Sequence, residues 1–166
     1  MMQDSPALPS VYLETTIPSY LTSRPSQDLV TAAHQKITRD WWSSARERFQ
    51  IYVSEAVLDE IRSGNPKYAA RRMKLVEGAK VLAFSEDVAD LIHLYGRRLG
   101  LAGPAVADVP HFAYAVAYNI DYLVTWNCKH IANGQVIRRL VEINRDLGRA
   151  TPVVVTPEEL FEVESL

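Results

Sequence analysis

Five short apolar runs punctuate the chain, and polar or helix-periodic segments separate them. Residues 11–13, 51–53, 81–83, 122–125 and 153–155 are continuous rather than alternating in hydrophobicity. That is the pattern of strands buried on both faces of a sheet. Between them, apolar residues recur at helical spacing. Residues 29–49 form one long helix, with Trp41 and Trp42 near its middle. Ser54 caps a helix that carries Val57, Leu58 and Ile61 inward and stops at Gly64, Asn65 and Pro66. Further helices are predicted over residues 67–77, from a Ser85 cap to residue 99, over 106–118 and over 131–147. Thr156, Pro157 and Glu158 start a short terminal helix. Strands alternating with helices imply an α/β domain with three layers, helices lying on both faces of a mostly parallel five-stranded sheet. Crossovers in such a sheet are right-handed.

The segment 103–131 is the most informative. Asp108, His111, Phe112, Ala115 and Asn119 fall along one helical face, with Asp108 in the first turn, where the helix dipole favours negative charge. The following strand leads into Trp126 and Asn127. In an open α/β sheet, chemistry gathers beyond the C-terminal ends of strands. Glu14 ends the first strand in the same way, followed by Thr15, Thr16 and Pro18, and Glu60 lies in the helix after the second. If strands one and four are neighbours, Glu14, Glu60, Asp108 and Asn127 converge in one crevice. Clustered carboxylates repel one another unless a cation neutralises them. Hard oxygen donors suit Mg²⁺ or Mn²⁺, which commonly share their coordination with substrate phosphates.

Bulk properties narrow the choice of class. A chain of 166 residues, 48% hydrophobic and 23% charged, is expected to be one domain over 1–166, with residues 1–9 as a flexible leader. The net charge of −2 gives no global case for nucleic-acid binding, so any such contact must come from a local patch. The densest supply of cations is Arg71, Arg72 and Lys74, within a basic helix. Cys128 is the single cysteine, which excludes an intramolecular disulfide and a cysteine-built zinc site. With no signal peptide and no apolar run near membrane-spanning length, the chain reads as cytoplasmic.

Taken in order, the motifs YLETT, VLDEI, ADVPHFAYA and LVTWNCKHI resemble the PIN domain, and most closely its VapC-like toxin branch, over residues 11–160. The resemblance implies a PIN-like fold and a metal-dependent endoribonuclease, with Glu14, Glu60 and Asp108 holding Mg²⁺ or Mn²⁺. Asn127 would be a fourth site residue and Thr16 a supporting one. It also implies an RNA substrate, a cognate antitoxin in a type II toxin–antitoxin pair, and a homodimer. Two positions depart from the family pattern. Glu14 stands where Asp is usual, and Asn127 stands where Asp is common, which removes one negative charge. These departures favour one bound ion over two, and they support the alternative of a PIN-fold RNA-binding or interaction module with weakened catalysis.

Each residue also has a plainer explanation. Glu14 can be a helix-start acid, Glu60 part of a solvated face beside Asp59 and Arg62, and Asp108 a cap. His111 reads as a packing or supporting residue rather than a ligand, and Asp121 as a turn residue. Trp41, Trp42, Phe49 and Trp126 read as core or interface, although Trp126 sits where a base could stack. A phosphatase-like or nucleotide-binding α/β protein is disfavoured by the lack of a Gly-rich phosphate loop.

Overall fold

The computed structural model describes residues 7–162. All five strands form: β1 (Ser10–Leu13), β2 (Gln50–Ser54), β3 (Lys80–Leu82), β4 (Tyr122–Val124) and β5 (Val153–Val155). They build one sheet in the order β3-β2-β1-β4-β5, and every pairing is parallel. The sheet is thus wholly parallel, where the sequence indicated mostly so. Seven α-helices connect the strands among the described residues: α1 (Thr16–Thr22), α2 (Leu29–Arg48), α3 (Glu55–Ser63), α4 (Pro66–Val76), α5 (Glu86–Arg98), α6 (Val109–Ala117) and α7 (Gly134–Asp146).

The chain winds from β1 outward to β3, then returns to β4 on the other side of β1. With right-handed crossovers, that reversal sends the two sets of helices to opposite faces. The helix contacts agree: α1 packs on α2 and α4, and α3 on α4, whereas α5 packs on α6 and α7. The reversal also leaves a crevice beyond the C-terminal ends of β1 and β4.

Local chemistry explains several boundaries. Ser54 and Ser85 accept from the backbone N–H of Val57 and Val88, so both predicted caps form. Thr156 and Glu159 close a capping box over the last 3-10 turn, Pro157–Leu160. The helix expected over residues 106–118 is divided instead. A 3-10 turn, Gly103–Asp108, precedes α6, which starts at Val109 with Pro110 in its first turn. Proline has no N–H to bond back four residues and its ring crowds that carbonyl, so the helix restarts there. Asn119, assigned to the helical face, lies beyond its end at φ 50°.

The core is built on β1, β4 and α6. Val11, Tyr12, Leu13, Leu123 and Val124 are fully buried, and Val109, Phe112, Ala113, Ala115 and Val116 nearly so. A helix apolar on all sides must be buried on all sides. Trp41 and Phe49 join this core, as the sequence suggested. Asp121 joins strands rather than serving only its turn: it accepts from the N–H (2.7 Å) and hydroxyl (2.8 Å) of Ser10, clipping β1 to β4. Of the leader expected over 1–9, residues 1–6 lie outside the described residues. Leu8 and Pro9 are tied to Gln50, whose side chain and backbone donate to their carbonyls. No helix among the described residues is long and apolar enough to cross a membrane.

Candidate active site

Register sets the site. Leu13 lies opposite Val124, so the next residues, Glu14 and Thr125, emerge side by side at the reversal of strand order. The Glu14 side chain turns inward and is 4% exposed. Its Oε2 accepts from the Thr16 hydroxyl (2.6 Å), the Thr125 hydroxyl (2.7 Å) and the Thr16 N–H (3.1 Å). A buried carboxylate is costly to leave unpaired, and bonds to a charged acceptor contribute about 1.5–3 kcal/mol each, so three donors offset its burial. Thr16 thereby supports Glu14, and its hydroxyl also accepts from the Trp126 N–H at 2.9 Å.

Glu60 comes from α3 and reaches the same crevice. Its Oε2 accepts from the Thr15 hydroxyl, and its Oε1 lies 3.1 Å from His111 Nε2. The other imidazole nitrogen, Nδ1, is 2.8 Å from the buried Tyr12 hydroxyl. Burial pushes the Glu60 carboxyl up, but the bond and charge of His111 with the Thr15 hydroxyl outweigh it and leave Glu60 below its usual range. Burial pushes His111 down. The Glu60 bond and the charges of Glu14, Glu60 and Asp108 outweigh that and raise it.

Asp108 stands at the head of α6 without capping it, since no N–H bonds to its side chain there. Its Oδ2 instead meets His130 Nδ1 at 2.9 Å. Asn127 Oδ1 accepts from the His130 N–H (3.0 Å), which folds the loop after β4 and carries His130 toward Asp108.

One ligand atom each from Glu14, Glu60 and His111 lie within 4.8 Å of one another. The sequence placed Glu14 and Glu60 there. It placed Asp108 there too, but the side chain is paired with His130 instead of joining that group. His111, read as packing or support, is in the cluster while being 1% exposed. His130 and Thr125 were not singled out. The signal for His130 was the spacing Asn-x-x-His, in which the Asn closes a turn on the third residue after it.

The basic helix α4 divides its cations. Arg72 donates to Ser19 Oγ (3.0 Å) and contacts Thr22 Oγ1, fastening α4 to α1, while Arg71 and Lys74 are exposed. Trp126 is 8% exposed, donates its indole N–H to Thr38 at 2.7 Å, and is covered by the His34 ring at a centroid distance of 3.9 Å. Its face is occupied, as expected of a core residue. Among the described residues, the ion-pair partners of Glu60 and Asp108 are histidines, with no Lys or Arg.

No family model matches the sequence, and no curated protein matches it. Solved structures do. Mycobacterium tuberculosis VapC20, described as a Sarcin-Ricin loop cleaving toxin, is similar at TM-score 0.58 and 17% identity, over 75% of this chain and 95% of that one. The fold is the PIN fold. A chain of VapBC2 from Rickettsia felis, bound to a DNA fragment from their promoter, is similar at TM-score 0.54 and 15% identity, over 88% of this chain and 97% of that one. In the PIN fold of this chain, the acidic residues occupy the crevice where strand order reverses.

The donor set fits a divalent cation of the hard type. Glu14 and Glu60 offer carboxylate oxygens, with Asp108 close by on the head of α6. Among the described residues, Glu60 and Asp108 meet histidines and Glu14 meets only hydroxyls and an N–H, so repulsion among these acids is what Mg²⁺ or Mn²⁺ would relieve.

Proposed function

We propose that this chain is a Mg²⁺- or Mn²⁺-dependent endoribonuclease and the toxin of a type II toxin–antitoxin pair. The observation that carries this reading is Glu14 and Glu60 brought together at the β1/β4 crevice, with Asp108 at the head of α6 and, among the described residues, no Lys or Arg paired to any of the three. The likeness in fold to a toxin described as cleaving the sarcin–ricin loop supports it.

Glu14, Glu60 and Asp108 would hold the cation, with Asn127 at the rim. When bound, such a cation makes a coordinated water more acidic and offsets charge on the leaving oxygen. The protein's own residues do the rest. Thr16 and Thr125 fix Glu14 by its Oε2, and Oε1 takes no hydrogen bond from the described residues. Thr15 and His111 fix both oxygens of Glu60. Water would attack phosphorus and the P–O3′ bond would break, leaving a 5′-phosphate and a 3′-hydroxyl. Arg71 and Lys74, exposed on α4, are the cations free to follow the RNA backbone; Arg72 contributes less, being held by α1. Leu29 (85% exposed) and Val30 (63% exposed) at the start of α2 offer an apolar surface for a second copy in a homodimer. The VapBC2 complex supports an antitoxin partner for this chain as well.

The test is incubation of the purified protein with single-stranded and structured RNA in Mg²⁺, Mn²⁺ or EDTA. Cleavage should require metal and vanish in Glu14→Gln and Asp108→Asn; cleavage persisting in EDTA would overturn the mechanism. The alternative, a PIN-fold RNA-binding module, is favoured by the saturated Oε2 of Glu14 and by Asp108's engagement with His130. It predicts salt-sensitive RNA binding without cleavage in either metal.

A further inference from the structure

We propose that His111 is a positioning residue for Glu60 and not a metal ligand, and that Tyr12 holds it in that role. The cation concerned is the one in the ribonuclease reading above; the hydrogen-bonding part stands on the protein alone.

The argument begins at Ser54. Its Oγ accepts from the Val57 N–H at 3.2 Å, capping α3, and lies 2.7 Å from the Tyr12 hydroxyl. That hydroxyl is 2.8 Å from His111 Nδ1, and His111 Nε2 is 3.1 Å from Glu60 Oε1. Ser54 and Glu60 belong to the start and body of one helix, so the path closes a ring through β1 and α6. Tyr12, Ser54 and His111 are all essentially inaccessible, at 0%, 0% and 1% exposure. Bulk solvent therefore does not reach their bonding groups.

With Glu60 as a carboxylate and every contact a hydrogen bond, protons can be assigned around this ring in two ways. With neutral His111, Ser54 donates to Tyr12, Tyr12 donates to Nδ1, and Nε2–H donates to Glu60. With charged His111, Nδ1–H donates to Tyr12, Tyr12 donates to Ser54, and Nε2–H again donates to Glu60. Nε2 carries a proton in both. Only a bare Nε2 could bind a metal, and it would set its lone pair against a carboxylate oxygen 3.1 Å away. The cluster of three thus resolves into two carboxylates that can bind a cation and one imidazole that aims the second. Outer partners of this kind orient a ligand and typically change metal affinity by about 10–100-fold when lost.

Nitrogen-15 and proton NMR of the metal-free protein tests the assignment directly. His111 should show a protonated, hydrogen-bonded Nε2, and Tyr12→Phe should shift and broaden that signal. A bare Nε2 in the unsubstituted protein, or a signal indifferent to Tyr12→Phe, would overturn it. If Tyr12→Phe fails to fold, Ser54→Ala perturbs the far end of the ring and should move the same resonance. Adding Mg²⁺ should then leave the Nε2–H signal in place, and its disappearance would overturn the proposal. Tyr12→Phe should weaken Mg²⁺ binding roughly tenfold or more by calorimetry. Absence of any Mg²⁺ response from the Glu14, Glu60 and Asp108 carboxylates counts against the metal site, while the metal-free spectra still decide the role of His111.

Discussion

The crevice contains two histidine–carboxylate pairs built in opposite ways. In the first, His111 is locked in the core at 1% exposure while the Glu60 side chain is 40% exposed. In the second, Asp108 is the more shielded member at 18% side-chain exposure, and His130, at 29%, rides on the loop after β4. The His111 ring is held at both nitrogens, by Tyr12 and Glu60. His130 has a side-chain bond to Asp108, and its position follows from the loop turn at Asn127. The difference is one of anchorage. Glu60 cannot turn without disturbing a buried chain that runs to the cap of α3. Asp108 is held by a histidine on a loop, outside the buried chain that fixes Glu60.

Removing each histidine breaks the comparison most severely. His111→Ala takes one of the two partners of the Tyr12 hydroxyl, leaving only Ser54, and opens a cavity in a fully packed region, for an expected loss of roughly 3 kcal/mol. His130→Ala removes a partly solvated pair and should cost less than about 1 kcal/mol. Urea unfolding of the two variants gives both values. Equal losses would mean that the loop pair is as much a part of the core as the buried one.

Stability against pH sharpens the same contrast. The raised His111 contributes stability that is fully present below its unfolded value of 6.5 and is lost as pH rises through the folded value. The lowered Glu60 contributes stability that is present above 4.5 and is lost as pH falls through its own folded value. The pair's contribution is therefore complete between about 4.5 and 6.5 and declines on either side. Urea midpoints followed across this range should show the alkaline decline in the unsubstituted protein and lose it in His111→Gln, which cannot titrate. An unchanged alkaline limb in the variant would assign it to another group.

How much of this was legible in the sequence depends on how local each cause is. Ser54 and Ser85 act on the N–H three residues ahead, and both caps were readable. Glu14 could be placed because a strand's end is visible in its own pattern, and adjacency to Thr125 followed once β1 and β4 were paired. Asp108 stands out in the sequence as an acid in an apolar stretch, but apolar spacing alone does not show that Pro110 restarts the helix at Val109. His111 looked like packing since its neighbours Val109, Phe112 and Ala113 are buried, and nothing local reveals that Tyr12 waits on β1 to hold the ring. His130 owes its place to a contact with Asp108 across 22 positions of sequence, made only after the loop closes on Asn127. Arg72 shows the converse: a charge read as surface is used for packing α4 on α1.

The smallest expected effect concerns the loop that carries His130, and Asn127→Asp isolates it. A carboxylate there can still accept the His130 N–H, so the turn should form and unfolding should move by less than about 1 kcal/mol. What changes is charge. Without metal, a further anion beside Glu14 and Asp108 adds repulsion and lowers stability slightly. With metal, the same anion should tighten Mg²⁺ binding by about threefold to tenfold, as expected of one added charge at a largely screened separation. Calorimetric titration with Mg²⁺ therefore reads the distance of position 127 from the cation, with His111→Gln as the contrasting variant from the buried pair. Unchanged affinity in Asn127→Asp would place the loop outside the ion's reach and leave it the task of steering His130 onto Asp108.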